Sequence, residues 1–122
     1  MFLGIDTSNY TTSVALYDFE KGEIIQQKKI LPVKEGELGL RQSDAVFAHV
    51  KQLGEIVKSL IDGNKYVIDA IGVSTRPRDI EGSYMPCFLV GNMVSETLSS
   101  VMNVPKYEFS HQQGHIAAAL FS

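Results

Sequence analysis

The chain has 122 residues, 44% of them hydrophobic and 20% charged, with a formal net charge of −3 at pH 7. That length and mix suit one globular domain with a real core, and the charge excludes a global basic field for nucleic acid while leaving room for a local patch. Cys87 is the single cysteine, which excludes an internal disulfide; with no signal-like start and no apolar run of bilayer length, a reducing, cytoplasmic setting is expected, without a membrane partner.

Phe2 to Asp6 is short and apolar and reads as a buried strand, followed by the polar turn Thr7–Thr12. Ser13 to Phe19 resumes as a strand. Lys21-Gly22 signals a turn, and Glu23 to Leu31 forms a third strand, so the three make an antiparallel meander. Pro32 to Gln42 reads as a loop. Ser43 or Asp44 is placed to cap a helix in which Val46, Phe47, Val50, Leu53, Val57, Leu60 and Ile61 recur at helical spacing, and Asp62-Gly63-Asn64 ends it with Gly63 as the left-handed residue.

Ile68 to Thr75 reads as a buried parallel strand and Arg76 to Ser83 as a charged loop. Pro86 suits the first turn of an apolar helix running from Cys87 to Met102, in which Gly91 and Ser95 stand one turn apart for close packing, and Pro105 breaks it. Lys106 to Phe109 is a brief strand, and His111 onward is helical again. The order βββαβαβα predicts an α/β fold, a mixed five-stranded sheet with helices on its faces. The helical pattern runs to Ser122 without a cap or breaker, which reads either as a lobe whose continuation lies beyond the 122 residues or as a naturally short chain.

Two histidines, His111 and His115, lie four residues apart in Ser110-His111-Gln112-Gln113-Gly114-His115. One helical turn puts both rings on one face, an arrangement suited to a transition metal, although a closed site needs a third ligand. Ser110 with Gln113 has the pattern of a capping box, so the helix should begin here. Its positive end favours neutral rings, as ligands must be, and calls for an additional anionic ligand to offset its effect on a cation. A His-Glu-x-x-His peptidase needs a glutamate beside the first histidine as general base; here Gln112 fills that place, so peptidase chemistry is not expected.

These motifs carry a family resemblance. Leu3-Gly4-Ile5-Asp6-Thr7-Ser8 with Thr12-Ser13-Val14-Ala15, then Ile68-Asp69-Ala70-Ile71-Gly72-Val73-Ser74, Leu89-Val90-Gly91 and the His-x-x-x-His of His111 and His115, follow one another as in the tRNA threonylcarbamoyladenosine biosynthesis family, formerly called O-sialoglycoprotein endopeptidase or glycoprotease. The chain resembles the N-terminal lobe of that family across nearly all of residues 1–122. The resemblance implies a ribonuclease H-like, actin-like ATPase lobe. It implies transfer of threonylcarbamoyl from its adenylate to adenosine 37 of tRNA, in a cleft between two lobes. It implies one transition metal ion, iron or zinc, held by His111, His115 and an aspartate of the second lobe, which also grips most of the nucleoside. Partners implied are tRNA and other tRNA-modification proteins, with a homodimer through the exposed lobe face as a further expectation; the lobe alone should be inactive.

Two segments depart from the family pattern. Tyr10-Thr11 stands where an acidic pair is usual, and Arg76-Pro77-Arg78 replaces a Gly-Pro-Gly turn. Both fall on loops expected to face substrate, and they suit the alternative of a non-catalytic paralogue acting as a dimerising scaffold in the same pathway; the histidine pair argues for the enzyme.

Other residues have two readings each. Thr7, Ser8, Thr11 and Thr12 offer hydroxyls and backbone N–H groups to the donor's oxygens, or else satisfy their own hairpin, with Asp6 capping or hydrogen-bonding that turn. Without a lysine or long glycine-rich loop this is not a Walker-type site. Arg76 and Arg78 meet phosphate or RNA, or, as favoured, pair with Asp79 and Glu81. His49 reads as a partly buried packing residue and Cys87 as an inert thiol.

Overall fold

The computed structural model describes residues 1–8, 10–32, 42–77 and 85–111. Within them the chain forms β1 (Phe2–Thr7), β2 (Thr11–Asp18), β3 (Glu23–Ile30), α1 (Gln42–Ile61), β4 (Ala70–Arg76), α2 (Phe88–Met102) and β5 (Lys106–Ser110). The strands make one five-stranded sheet in the order β3-β2-β1-β4-β5. The first three pair antiparallel, while β1–β4 and β4–β5 are parallel. This is the mixed sheet expected from the element order. The expected last helix lies outside the described residues beyond His111.

Burial alternates along β1 and β2, as period-2 side-chain geometry requires. Leu3 and Ile5 of β1, Val14 and Leu16 of β2, and Ile71 and Val73 of β4 pack with Leu53, Ile56 and Leu60 of α1 and Val90 of α2. Both helices therefore lie on one face. On the other face, Tyr17 and Phe2 stack edge-on to Phe19, with ring centroids 4.6 and 6.2 Å apart respectively, and Phe19 is 66% exposed.

Element boundaries shift where tertiary contacts outweigh local signals. β2 begins at Thr11, inside the segment read as a turn, because Thr11 and Thr12 pair with Ile30 and Lys29 of β3 and both are β-branched. β4 begins two residues later than expected; the Asp69 amide instead bonds the Met1 carbonyl at 2.8 Å. α1 begins at Gln42, placing Ser43 and Asp44 inside its first turn rather than at its cap.

The buried stripe of α1 is also rotated from the one read off the apolar residues. Ala45, Ala48, His49, Gln52, Leu53, Ile56 and Leu60 are buried, whereas Phe47 and Val50 are exposed. Ala45 and Ala48 are small enough to form a second cluster with Leu31, Cys87 and Phe88. α2 starts at Phe88, with Cys87 as its helical-geometry cap and the Cys87 amide donating to Gln42 Oε1 at 3.2 Å. It ends at Asn103, left-handed at φ 55°, whose amide returns to the Ser99 carbonyl.

Candidate active site at the carboxyl ends of the parallel strands

β1, β4 and β5 run parallel, so their carboxyl ends share one edge of the sheet, the usual place for ligands in open α/β sheets. Asp6 near the end of β1, Ser74 on β4 and His111 directly after β5 meet there. Ser74 Oγ donates to Asp6 Oδ1 at 2.7 Å. His111 Nδ1 lies 2.5 Å from Asp6 Oδ2, and because a carboxylate only accepts, Nδ1 carries the proton. The imidazole and the carboxylate are each 29% exposed, half-sheltered at the rim.

Asp6 changes the electrostatic argument made from sequence. The helix start alone favours a neutral ring. In the structure the hydrogen bond to Asp6 raises the pKa of His111 above its ordinary value, outweighing the opposite pull of burial, with the charge on Asp6 adding to the rise. His115, Arg78, Gln112 and Gln113 lie outside the described residues. Among the described residues no three His, Cys, Asp or Glu side chains converge to hold an ion.

The donor chemistry at His111 nonetheless fits a transition metal. A histidine ligand commonly donates its other ring N–H to a carboxylate, which fixes the tautomer and makes the ligating nitrogen more basic. With Nδ1–H on Asp6, Nε2 is the unprotonated nitrogen of the neutral ring.

The hydroxyls of the β1–β2 hairpin are mostly turned inward. Thr7 is fully buried; its Oγ1 donates to the Cys87 carbonyl at 2.9 Å and accepts the Gly91 amide at 3.1 Å. It thereby bridges two backbone groups four residues apart at the start of α2. Ser8 Oγ donates across its turn to the Thr11 carbonyl at 3.2 Å. Thr12, also fully buried, sits between Gln52 Nε2 at 3.1 Å and His49 Nδ1 at 2.7 Å. Among the described residues Asp6 reaches across the sheet to Ser74 and His111.

His49 is the residue the sequence undervalued. It is fully buried rather than partly so, and its Nε2 donates to the Ser8 carbonyl at 2.6 Å. Since that carbonyl can only accept, Nε2 holds the proton and Nδ1 accepts from the Thr12 hydroxyl. Burial pushes its pKa down, against the smaller opposing effects of the Ser8 carbonyl and Asp6. A polar histidine interrupting an apolar helix face, facing a hairpin rich in hydroxyls, was the available signal.

Arg76 Nη1 donates to Thr75 Oγ1 at 3.0 Å. Cys87 is fully buried, and burial raises its thiol to about 11. Native-state labelling of Cys87 by a disulfide reagent at pH 7 is therefore expected to run at least about 100-fold slower than in urea, because little thiolate is present and access is closed. Equal rates would mean the thiol is open.

No protein-family model matches the sequence. Among solved structures the chain is similar to YeaZ from Pseudomonas aeruginosa, at a TM-score of 0.60 and 20% identity, covering 89% of this chain and 42% of YeaZ. At that identity the similarity shows the fold, and that fold is the actin-like, ribonuclease H-like one implied by the motif resemblance. An Aquifex aeolicus member of the Ppx/GppA protein family superposes at a TM-score of 0.44 and 17% identity, covering 92% of this chain and 35% of its own. The chain thus spans less than half the length of the structures it matches. No described helix is long and apolar enough to cross a membrane.

Proposed function

We propose that the chain is the N-terminal lobe of a metal-dependent threonylcarbamoyl transferase-like protein of tRNA modification. The observation that carries this reading is His111 at the carboxyl ends of the parallel strands, its Nδ1 2.5 Å from Asp6 Oδ2. His111 and His115 would hold one iron or zinc ion, with a third ligand from a second lobe. When bound, the ion supplies Lewis-acid polarisation of the acyl donor.

The chain's own residues do the remaining work assigned to this lobe. Asp6, fixed by Ser74, holds the His111 ring. The hairpin carrying Thr7, Ser8, Thr11 and Thr12 lies against the threonylcarbamoyl adenylate. Its shape is kept by His49 and by the Thr7 bridge to α2. tRNA and other tRNA-modification proteins are the partners of the whole protein. The aromatic cluster of Phe2, Tyr17 and the exposed Phe19 favours a second reading, a scaffold that dimerises in the same pathway.

Metal content separates the two. Equilibrium dialysis of the whole protein against zinc or ferrous iron is expected to retain one ion. His111→Ala and His115→Ala should each weaken retention by more than the roughly 100-fold typical of losing an outer-shell partner, and threonylcarbamoyl transfer to tRNA should fall with it. A metal-free protein that forms a stable dimer would support the scaffold instead.

A further inference from the structure

We propose that Asp6 is a positioning residue for His111: its carboxylate takes the ring's Nδ1 proton and so fixes Nε2 as the basic nitrogen of the neutral ring. The inference rests on the reading of His111 as a ligand, but the arrangement itself is built from this chain alone. The two Asp6 oxygens are used differently. Oδ1 accepts from Ser74 Oγ at 2.7 Å, which anchors the carboxylate to a buried residue of β4. Oδ2 faces His111 Nδ1 at 2.5 Å, joining the end of β1 to the residue after β5 across the intervening strand β4. One side chain therefore sets both the tautomer and the ring orientation of a residue 105 positions away in sequence.

This geometry excludes Asp6 from the coordination sphere it serves. Nδ1 and Nε2 leave an imidazole on diverging sides, so an ion on Nε2 lies away from the carboxylate. Asp6 is thus not the missing anionic ligand, and that ligand has to come from another part of the protein. A free imidazole in water prefers its proton on Nε2, which would turn the lone pair toward Asp6. The Asp6 hydrogen bond reverses that preference.

Two readouts test this. In the metal-free chain, 15N chemical shifts of the neutral His111 ring should report the Nδ1–H tautomer as dominant. In Asp6→Ala the Nε2–H tautomer should become the major form. In the whole protein, with zinc alone as the probe, Asp6→Ala should weaken binding roughly 10- to 100-fold, as loss of an outer-shell partner does. Asp6→Asn, which keeps the shape without the charge, should fall between. A dominant Nε2–H tautomer in the unmodified chain overturns the proposal without any variant, whatever the folding of Asp6→Ala. An unchanged tautomer in a folded Asp6→Ala does the same. If the unmodified chain shows the Nδ1–H tautomer yet the whole protein binds no zinc, the ligand reading of His111 fails while the hold of Asp6 on its ring stands.

Discussion

Replacing His49 with alanine is expected to cost about 3 kcal/mol of folding stability, read as a lower urea midpoint. Two effects add. The fully buried ring leaves a void between α1 and the β1–β2 hairpin. Its removal also strips the Ser8 carbonyl of its 2.6 Å donor and the Thr12 hydroxyl of its 2.7 Å acceptor, and unsatisfied buried polar groups are costly. An unchanged midpoint would show that the hairpin does not depend on the clamp.

The same residue gives a pH dependence of defined sign. Burial lowers the folded-state pKa of His49 below its ordinary 6.5. Below 6.5 the unfolded chain therefore binds more protons at this position than the folded chain, so stability falls with falling pH until the folded-state pKa is passed. His111 has the opposite sign, its raised pKa contributing stability below 6.5 that is lost as pH rises through its folded value. Comparing the unmodified chain with His49→Gln between pH 7.5 and 5.5 isolates the first effect. The unmodified chain should lose more stability over that range than the variant does.

The meander, the parallel strand after α1 and the final strand are legible in sequence because their signals are local: short apolar runs in β1, in β2 and at Ala70–Val73 of β4, with turn residues between the strands. The left-handed Gly63, at φ 75°, is legible for the same reason. The rotation of α1 is not. Periodicity marks Phe47 and Val50 as core, yet helix orientation is decided by what the far partner offers. Here the sheet side presents Thr12 and the Ser8 carbonyl, which His49 and Gln52 satisfy. The site divides likewise. His111 announces itself by its spacing to His115, but Asp6 lies 105 residues away from it and becomes its partner only through the parallel pairing of β1, β4 and β5. The hydroxyls of Thr7 and Thr12 look like ligand groups in a linear reading and are committed inward once the helices pack.

Gly91→Val is expected to destabilise the chain by about 3 kcal/mol, at the upper end of the usual cost of overpacking. A Cβ at Gly91 would stand 3.0 Å from Thr7 Oγ1 and 3.3 Å from both Ile5 Cγ2 and Val73 Cγ2. Three neighbours on two strands close the space, so the γ-carbons of valine have nowhere to go unless α2 backs away from the sheet. That retreat would break the Gly91 amide's bond to Thr7 and the Thr7 hydroxyl's bond to Cys87. Gly91→Ala separates sterics from backbone effects. Its single methyl asks those neighbours to yield by tenths of an ångström, while removing a mid-helix glycine returns roughly 0.5–1 kcal/mol. Alanine should therefore lie within about 1 kcal/mol of the unmodified chain. Because Thr7 adjoins Asp6, the valine variant should also shift the His111 ring resonances, whereas alanine should leave them nearly in place. A valine variant as stable as the original chain, with its His111 signals unmoved, would mean that α2 is not seated on β1 and β4 at this glycine.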